Sequence, residues 1–397
     1  MAVPTLAITA VALLAFASLG LPDGILGVAW PSLRRAFGLP VGGLGLLLGA
    51  AMLGYLASTS STGPLVARLG VGRLLVWSSA AVAGACLGVA ASPAWWVVVA
   101  CAIVGGLGAG AVDAGLNAFA AERFAPRLVS WLHAAYGVGA MLGPLLMTAA
   151  IMHGPGWRAG YAVVGVTLGA LAVGFVRTRG LWRGAGRAAS VGAGAPFRRT
   201  LARPAVWTSV GLFFVYTGLE VSAGQWAYSL LTEARSIDAA AAGVAVGVFW
   251  GSLTAGRMAT GLLARRLAAP ALVRTAALAA PAPAALLWAA EGTGAAFVAL
   301  AALGLALAPV YPLAISLTPR RVGEAHAANA IGLQVAAAYL GAAALPAAAG
   351  VLADAYGVAS VAPFLVGAAL ALAGWHAAPG VPAPGRGYLS ARRREVT

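Results

Sequence analysis

The sequence predicts an all-α membrane protein: twelve transmembrane helices arranged as two pseudo-symmetric six-helix bundles. Three observations carry this expectation. Apolar runs of membrane-spanning length recur along the whole chain, arginines gather in alternate connections between them, and the two halves match each other at a fixed offset.

Hydrophobic residues fill 61% of the 397 positions and charged residues only 9%, against about 25% charged in a soluble domain. The mean hydropathy is +0.91. A soluble fold of this length must present much of its surface to water and cannot hide so much apolar surface. Lipid removes that demand. The net charge of +15 comes entirely from arginine, because the chain has no lysine. The arginines lie between apolar runs, which fits membrane topology rather than nucleic-acid binding. Cys86 and Cys101 both sit inside apolar runs and read as small packing residues, not as a disulfide framework or a zinc site.

A spanning helix needs about 20 apolar residues. The first run, Thr5–Trp30, lacks a basic leader segment and so reads as a span rather than a cleaved signal. Val41–Val66, Leu74–Ala91, Ala94–Ala121, Leu128–Met152 and Tyr161–Val176 follow, then Ala205–Leu231, Ala239–Ala264, Pro270–Ala290, Thr293–Thr318, Ala325–Ala353 and Val358–Ala377. Each run is too long and too continuous for a barrel strand, and a helix satisfies its own backbone in lipid. Twelve spans place both termini on one side. One set of connections then holds 20 arginines, including Arg68, Arg73, Arg123 and Arg127. The other holds 4, namely Arg34, Arg35, Arg158 and Arg235, with Arg257 inside a span. The positive-inside rule puts both termini in the cytoplasm, as expected of a protein of the bacterial plasma membrane.

The expected organisation is an N-terminal bundle over residues 1–176, a basic cytoplasmic linker over 177–204, a C-terminal bundle over 205–378 and a cytoplasmic tail over 379–397. The linker has no acidic residue and suits contact with anionic headgroups. The halves match at an offset of 198: Gly63-x-Leu65-x-x-Arg68-Leu69 repeats as Gly261-x-Leu263-x-x-Arg266-Leu267, and Gly20-Leu21 as Gly218-Leu219. Such repeats mark secondary transporters, whose solute site lies between the halves near mid-membrane.

These residues also carry a resemblance to the major facilitator superfamily. The stretch from Gly63 through Arg68 and Gly70 to Arg73 resembles its loop 2–3 signature, G-x-L-x-D-R-x-G-R-R, with Ala67 in place of the acid. The resemblance implies a conformational gate at Gly63, Arg68, Gly70 and Arg73, repeated at Gly261 and Arg266. Within the superfamily the chain resembles the fucose-permease-like branch, which includes sugar–cation symporters. Three pieces carry this: Gly105-Gly-Leu-Gly108-Ala-Gly110-Ala-Val-Asp113-Ala-Gly-Leu-Asn117, Leu132-His133-Ala-Ala-Tyr136-Gly137-Val-Gly139-Ala-Met-Leu-Gly143-Pro144, and Tyr216-Thr-Gly218-Leu-Glu220-Val-Ser-Ala-Gly224-Gln225-Trp226. In the first helix the branch carries an acid one turn before the Pro31 region, where this chain has Gly27; Asp23 lies a turn earlier.

Charges in lipid cost about 2.5–3.5 kcal/mol on insertion scales, so each intramembrane charge calls for a role. Asp113 lies eight residues before the end of its span, about 12 Å deep at helical rise, and is the first candidate to carry a proton. Glu220, Asp23 and His133 are the others; an imidazole suits proton exchange near neutral pH. Asn117 shares a helical face with Asp113 at i+4. With Tyr136, Gln225, Trp226, Arg257, Tyr311, Asn329 and Gln334 it forms the candidate solute-binding set. A ring beside amide donors is a common way to hold a polyol. Several have alternatives: Asp113 as a static clamp between helices, Asp23 as an outer-end polar residue, His133 bonding a carbonyl, Trp226 in the interfacial aromatic belt, and Arg257 pairing with Glu220 or Asp113 or snorkelling to the surface. Gly105, Gly108, Gly110, Gly137, Gly139 and Gly143 allow close helix packing, and Pro309 with Pro312 permits a kink.

No metal cluster, cofactor motif, phosphate loop or nucleophile elbow is present. The sequence therefore predicts a non-enzymatic, proton-coupled secondary transporter of a small polar, sugar-like solute, working by alternating access. Its expected partners are the solute, a coupling proton and the lipid bilayer, with no nucleic acid, and it is expected to be a monomer. Gly139-x-x-x-Gly143-Pro144 resembles a motif of antiporters and keeps proton-driven efflux of drugs or secondary metabolites as an alternative. A non-transporting receptor is the alternative of another class.

Overall fold

A computed structural model describes residues 6–182, 195–264, 266–289 and 291–377. The tail expected from 379 and residues 183–194 of the expected linker lie outside the described residues. Among the described residues, twelve helical segments are long and apolar enough to cross a membrane. They are α1 (Leu6–Ala36), α2 (Val41–Leu69), α3 (Val71–Ala90), α4 (Trp95–Ala120), α5 (Leu128–His153) and α6 (Trp157–Leu181), then α7 (Pro204–Ala234), α8 (Ala239–Leu263), α9 (Ala269–Ala289), α10 (Thr293–Ser316), α11 (Glu324–Tyr356) and α12 (Val358–Trp375).

The order agrees with the sequence reading, and the departures have local causes. Helix α1 does not stop at Trp30 but runs through Pro31 to Ala36. Arg34 and Arg35, expected in a connection, lie in its last turn, where the free carbonyls of a helix end favour cations. Arg34 Nη2 also donates to both oxygens of Glu233, at 2.8 and 2.9 Å. Glu233 is presented by a π-helical turn, Leu230–Ala234, that ends α7. In α10 the ladder breaks after Leu307, just before Pro309, and resumes at Val310. Proline lacks the amide needed to continue it.

The 198-residue offset persists in three dimensions. Val41 and Ala239, Val71 and Ala269, Trp95 and Thr293 are the matching starts of α2 and α8, α3 and α9, α4 and α10. Within the first six helices α1 packs on α5, α2 on α4 and α3 on α6; within the second six α7 packs on α11, α8 on α10 and α9 on α12. Small residues set the spacing: a Cβ on Gly139 of α5 would lie 1.8 Å from the Ala17 carbonyl oxygen of α1.

The halves meet along two symmetry-related seams, α2 with α11 and α5 with α8, and α1 crosses α7 between them. The crossing falls at symmetry-equivalent positions, Gly27 and Gln225. A Cβ on Gly27 would lie 2.6 Å from the Gln225 carbonyl oxygen. No side chain larger than glycine's fits at position 27 in this packing. The bonds joining the halves gather from the arginine-poor face to mid-span: Gly42 N donates to Asp354 Oδ2 at 3.0 Å, Arg34 pairs with Glu233, and Gln225 Nε2 donates to the Asp23 carbonyl at 2.9 Å. That face is closed.

Candidate functional site

Three carboxylates lie deep in the spans. Asp23 falls near the middle of α1, seventeen residues from Leu6 and thirteen from Ala36, because α1 extends beyond the expected end. Tyr136 Oη of α5 donates to its Oδ2 at 2.6 Å. The Asp23 side chain is solvent-accessible although it sits at mid-span behind a closed arginine-poor face.

Asp113 of α4 accepts from Tyr55 Oη of α2 at 2.6 Å and from Asn117 Nδ2 at 2.8 Å. The i+4 spacing read from the sequence thus becomes a bond on one helix face. Tyr55 in turn accepts a hydrogen bond from Tyr339 Oη of α11, and the two rings lie 4.2 Å apart, centroid to centroid. Five elements other than α4 bring groups within electrostatic reach of this carboxyl: Asp23 of α1, Tyr55 of α2, His133 of α5, Tyr311 of α10 and Tyr339 of α11. His133 packs edge-on against Phe16, with centroids 5.3 Å apart. Among the described residues it forms no ion pair with Asp113.

Glu220 differs from both aspartates because a cation balances it. Arg257 Nη2 of α8 lies 2.9 Å from its Oε2 and 3.1 Å from its Oε1, and Tyr216 Oη, one turn back on α7, donates to Oε2. A buried carboxylate must be paired or hydrogen-bonded to persist, and this one is both. Arg257 therefore pairs rather than snorkels. Tyr311 stacks on Phe213 and Tyr216, at 5.1 and 6.2 Å. Two buried polar atoms beside these groups, Arg257 Nε and Gln225 Oε1, have no hydrogen-bond partner within the protein.

Three residues of the expected solute-binding set do not join this centre. The Trp226 ring is fully buried, and its indole N–H donates to the Pro346 carbonyl at 3.0 Å; no ring face is free for a solute. Gln334 is fully buried and accepts from Thr318 Oγ1 at 3.0 Å. Asn329 donates to the Ala195 carbonyl at 2.9 Å and to Thr200 Oγ1 at 3.2 Å, so it pins the segment before α7 to the start of α11. Of the expected gate residues, Gly63, Arg68, Gly70, Arg73, Gly261 and Arg266 are all exposed, and Gly70 makes the turn between α2 and α3 at φ 75°.

Sequence reasoning missed Tyr55, Tyr339 and the Glu233 latch. Their signal was depth: Tyr55 and Tyr339 each fall at the midpoint of a span, far from the interfaces where tyrosine usually anchors.

The architecture is shared with solved transporters. A mutant form of the nucleoside transporter NupG superposes with a TM-score of 0.76 at 12% identity, covering 94% of this chain and 99% of that one. A bacterial homologue of the human lysosomal transporter Spinster, in an inward-facing and occupied conformation, superposes with a TM-score of 0.75 at 12% identity, covering 93% and 94%. At these identities the likeness is one of fold. No curated protein matches the chain in sequence. The family model for the Major Facilitator Superfamily matches residues 12–346, which is most of the chain. With twelve apolar helices around a polar centre, the chain belongs to the Major Facilitator Superfamily, and it is a multi-pass membrane transporter of a small-molecule solute, not an enzyme.

Proposed function

We propose that this protein is a proton-coupled secondary transporter of a small, polar, sugar-like solute, as in the fucose-permease-like branch it resembles. The observation that carries the reading is the contrast among the three deep carboxylates. Glu220 has Arg257 as counter-charge, whereas the hydrogen bonds to Asp23 and Asp113 come from neutral donors. A carboxyl without a fixed cation changes the local charge when it takes up a proton, and a change of charge in a low dielectric is a strong conformational signal.

In the proposed cycle Asp113 and Asp23 carry the proton, with His133 beside the path. Arg257 Nε, Gln225, Tyr136, Tyr311 and Asn117 present donors and acceptors to the solute, and the unpartnered polar atoms of Arg257 and Gln225 are the ones a solute hydroxyl satisfies. Residues 1–176 and 205–378 act as the two rocking bodies, joined by 177–204. With the arginine-rich face taken as cytoplasmic, in a bacterial plasma membrane, both termini lie inside and the present conformation opens inward. The exposed residues from Gly63 to Arg73, with Gly261 and Arg266, close the inner face in the opposite state. The protein acts as a monomer.

Efflux remains a second reading, because the antiporter-like Gly139-x-x-x-Gly143 segment packs directly on α1 against Ala17 and Leu21. A thermal-stability screen of the purified protein separates the two. Stabilisation by sugars, polyols or nucleosides supports the proposal, since a ligand that binds the folded state raises apparent stability. Stabilisation by antibiotics or other amphiphiles alone supports efflux.

A further inference from the structure

The proton site and the solute path leave one contact unused. Tyr339 belongs to the second half of the molecule, yet its hydroxyl reaches Tyr55 in the first half, and Tyr55 donates to Asp113. The chain of donors runs one way, from Tyr339 to Tyr55 to Asp113, and Asn117 completes the carboxylate from the other side. Each hydroxyl has one proton to give, so the direction of the chain is set by the acceptor at its end. The α2–α11 seam that holds Tyr55 and Tyr339 continues to Gly42 and Asp354 at the arginine-poor face. The tyrosine pair is its mid-membrane end.

We infer that Tyr339 is the positioning residue through which the protonation state of Asp113 sets the closure of the α2–α11 seam. The inference rests on Asp113 as the proton site. An ionised Asp113 offers only acceptors and orders both hydroxyls toward itself, and hydrogen bonds to a charged group are the strong ones. The seam then holds. A proton on the carboxyl oxygen facing Tyr55 turns that oxygen into a donor. Tyr55 then has no strong acceptor on α4, and its bond to Tyr339 loses the polarisation the carboxylate supplied. The seam is released from its inner end and the arginine-poor face opens. The groups facing Asp113 from neighbouring helices are Tyr55, His133, Tyr311, Tyr339 and Asp23. Of these only Tyr339 extends the hydrogen-bond chain from Tyr55 into the second half.

The test measures the seam directly and needs no solute. Leu46 of α2 and Val351 of α11 are exposed near the arginine-poor face. Spin labels on L46C/V351C, in a full-length protein carrying C86A and C101A, report their separation in lipid nanodiscs between pH 5 and pH 9. The wild-type background is expected to gain a longer-distance population as pH falls. Tyr339→Phe keeps the ring contact and removes the hydroxyl. It should cut the pH-dependent change in the closed-to-open ratio by about tenfold, the upper end for one neutral hydrogen bond. Tyr55→Phe should do the same, and the double variant should be no worse than either single one. Asp113→Asn serves as the separate arm. If Asp113→Asn removes the pH response while Tyr339→Phe and Tyr55→Phe keep it intact, the relay is overturned and the proton site stands. If Asp113→Asn leaves the response intact, the proton site itself falls.

Discussion

Replacing Arg257 with Met tests how the centre is held together. The substitution keeps most of the stem volume and removes the only cation within bonding distance of Glu220 among the described residues. The Glu220 side chain is 9% exposed and the Arg257 side chain 32%. The two halves of the pair are thus stranded unequally when the other is lost. Removing one member of a fully buried pair costs about 3–5 kcal/mol, because the survivor keeps its desolvation penalty without its partner. Arg257→Met strands the more buried group, with only the Tyr216 hydroxyl to serve it, and belongs in that range. Glu220→Gln strands a guanidinium that water already reaches in part, and the amide oxygen can still accept, so about 1–2 kcal/mol is expected. The double variant E220Q/R257M leaves no charge behind and should be less destabilised than R257M alone, the signature of a coupled pair. Unfolding midpoints of the detergent-purified protein provide the readout. At roughly 2 °C per kcal/mol for a chain of this size, R257M should melt about 6–10 °C lower and E220Q about 2–4 °C lower. Equal losses for the two single variants, or a double variant at the sum of both, would refute the account of an asymmetrically buried pair.

Further expectations concern the seams and the residues that left the centre. Glu233→Gln removes the bidentate acceptor of Arg34. Both partners are partly solvated, so the loss should be about 1 kcal/mol, seen as a roughly fivefold larger long-distance population of the L46C/V351C spin-label pair at neutral pH. Gly27→Ala places a methyl 2.6 Å from the Gln225 carbonyl oxygen; the α1–α7 crossing cannot close over it, and the spin-label distance across the arginine-poor face should remain long at all pH values. Trp226→Phe loses the bond to Pro346 and should lower the melting temperature while leaving the affinity of an identified solute within about twofold. A tenfold weakening would place the ring in the site after all. Asn329→Ala removes two of the bonds that hold the Ala195–Thr200 segment to α11, leaving those from the Ala195 amide to the Ala325 carbonyl and between Thr200 and His326, and should speed protease cleavage there only modestly, with a melting temperature within about 2 °C of the wild type.

The fold was legible because membrane burial acts on long stretches. Each span is a run of apolar residues, and the offset of 198 between Gly63 and Gly261 reappears as the start-to-start spacing of α2 and α8. Contacts between residues close in sequence were legible too. Asn117 bonds Asp113 across one turn, and Tyr216 bonds Glu220 across another. What sequence periodicity does not contain is the pairing of distant helices. Tyr55 and Tyr339 are separated by 284 positions, and nothing in either neighbourhood marks the other as its partner. Asp23 is a proton-carrying candidate from the sequence alone, but its depth is not legible there, because a first span ending at Trp30 leaves it near the outer end. The helix runs on to Ala36, where Arg34 pairs with Glu233, 199 residues away, and Asp23 falls at mid-span. Trp226 failed in the opposite direction: an aromatic beside an amide resembles a sugar platform, yet the crossing of α7 by α11 at Pro346 buries the whole ring.

The central claim is that a proton on Asp113 drives solute movement. Once the stability screen has named a solute, proteoliposomes with and without an imposed pH gradient measure it. Wild-type protein should accumulate the solute above equilibrium only with the gradient, and Asp113→Asn should exchange it at normal rates while accumulating none. Gradient-driven accumulation by Asp113→Asn at the wild-type level would contradict the account.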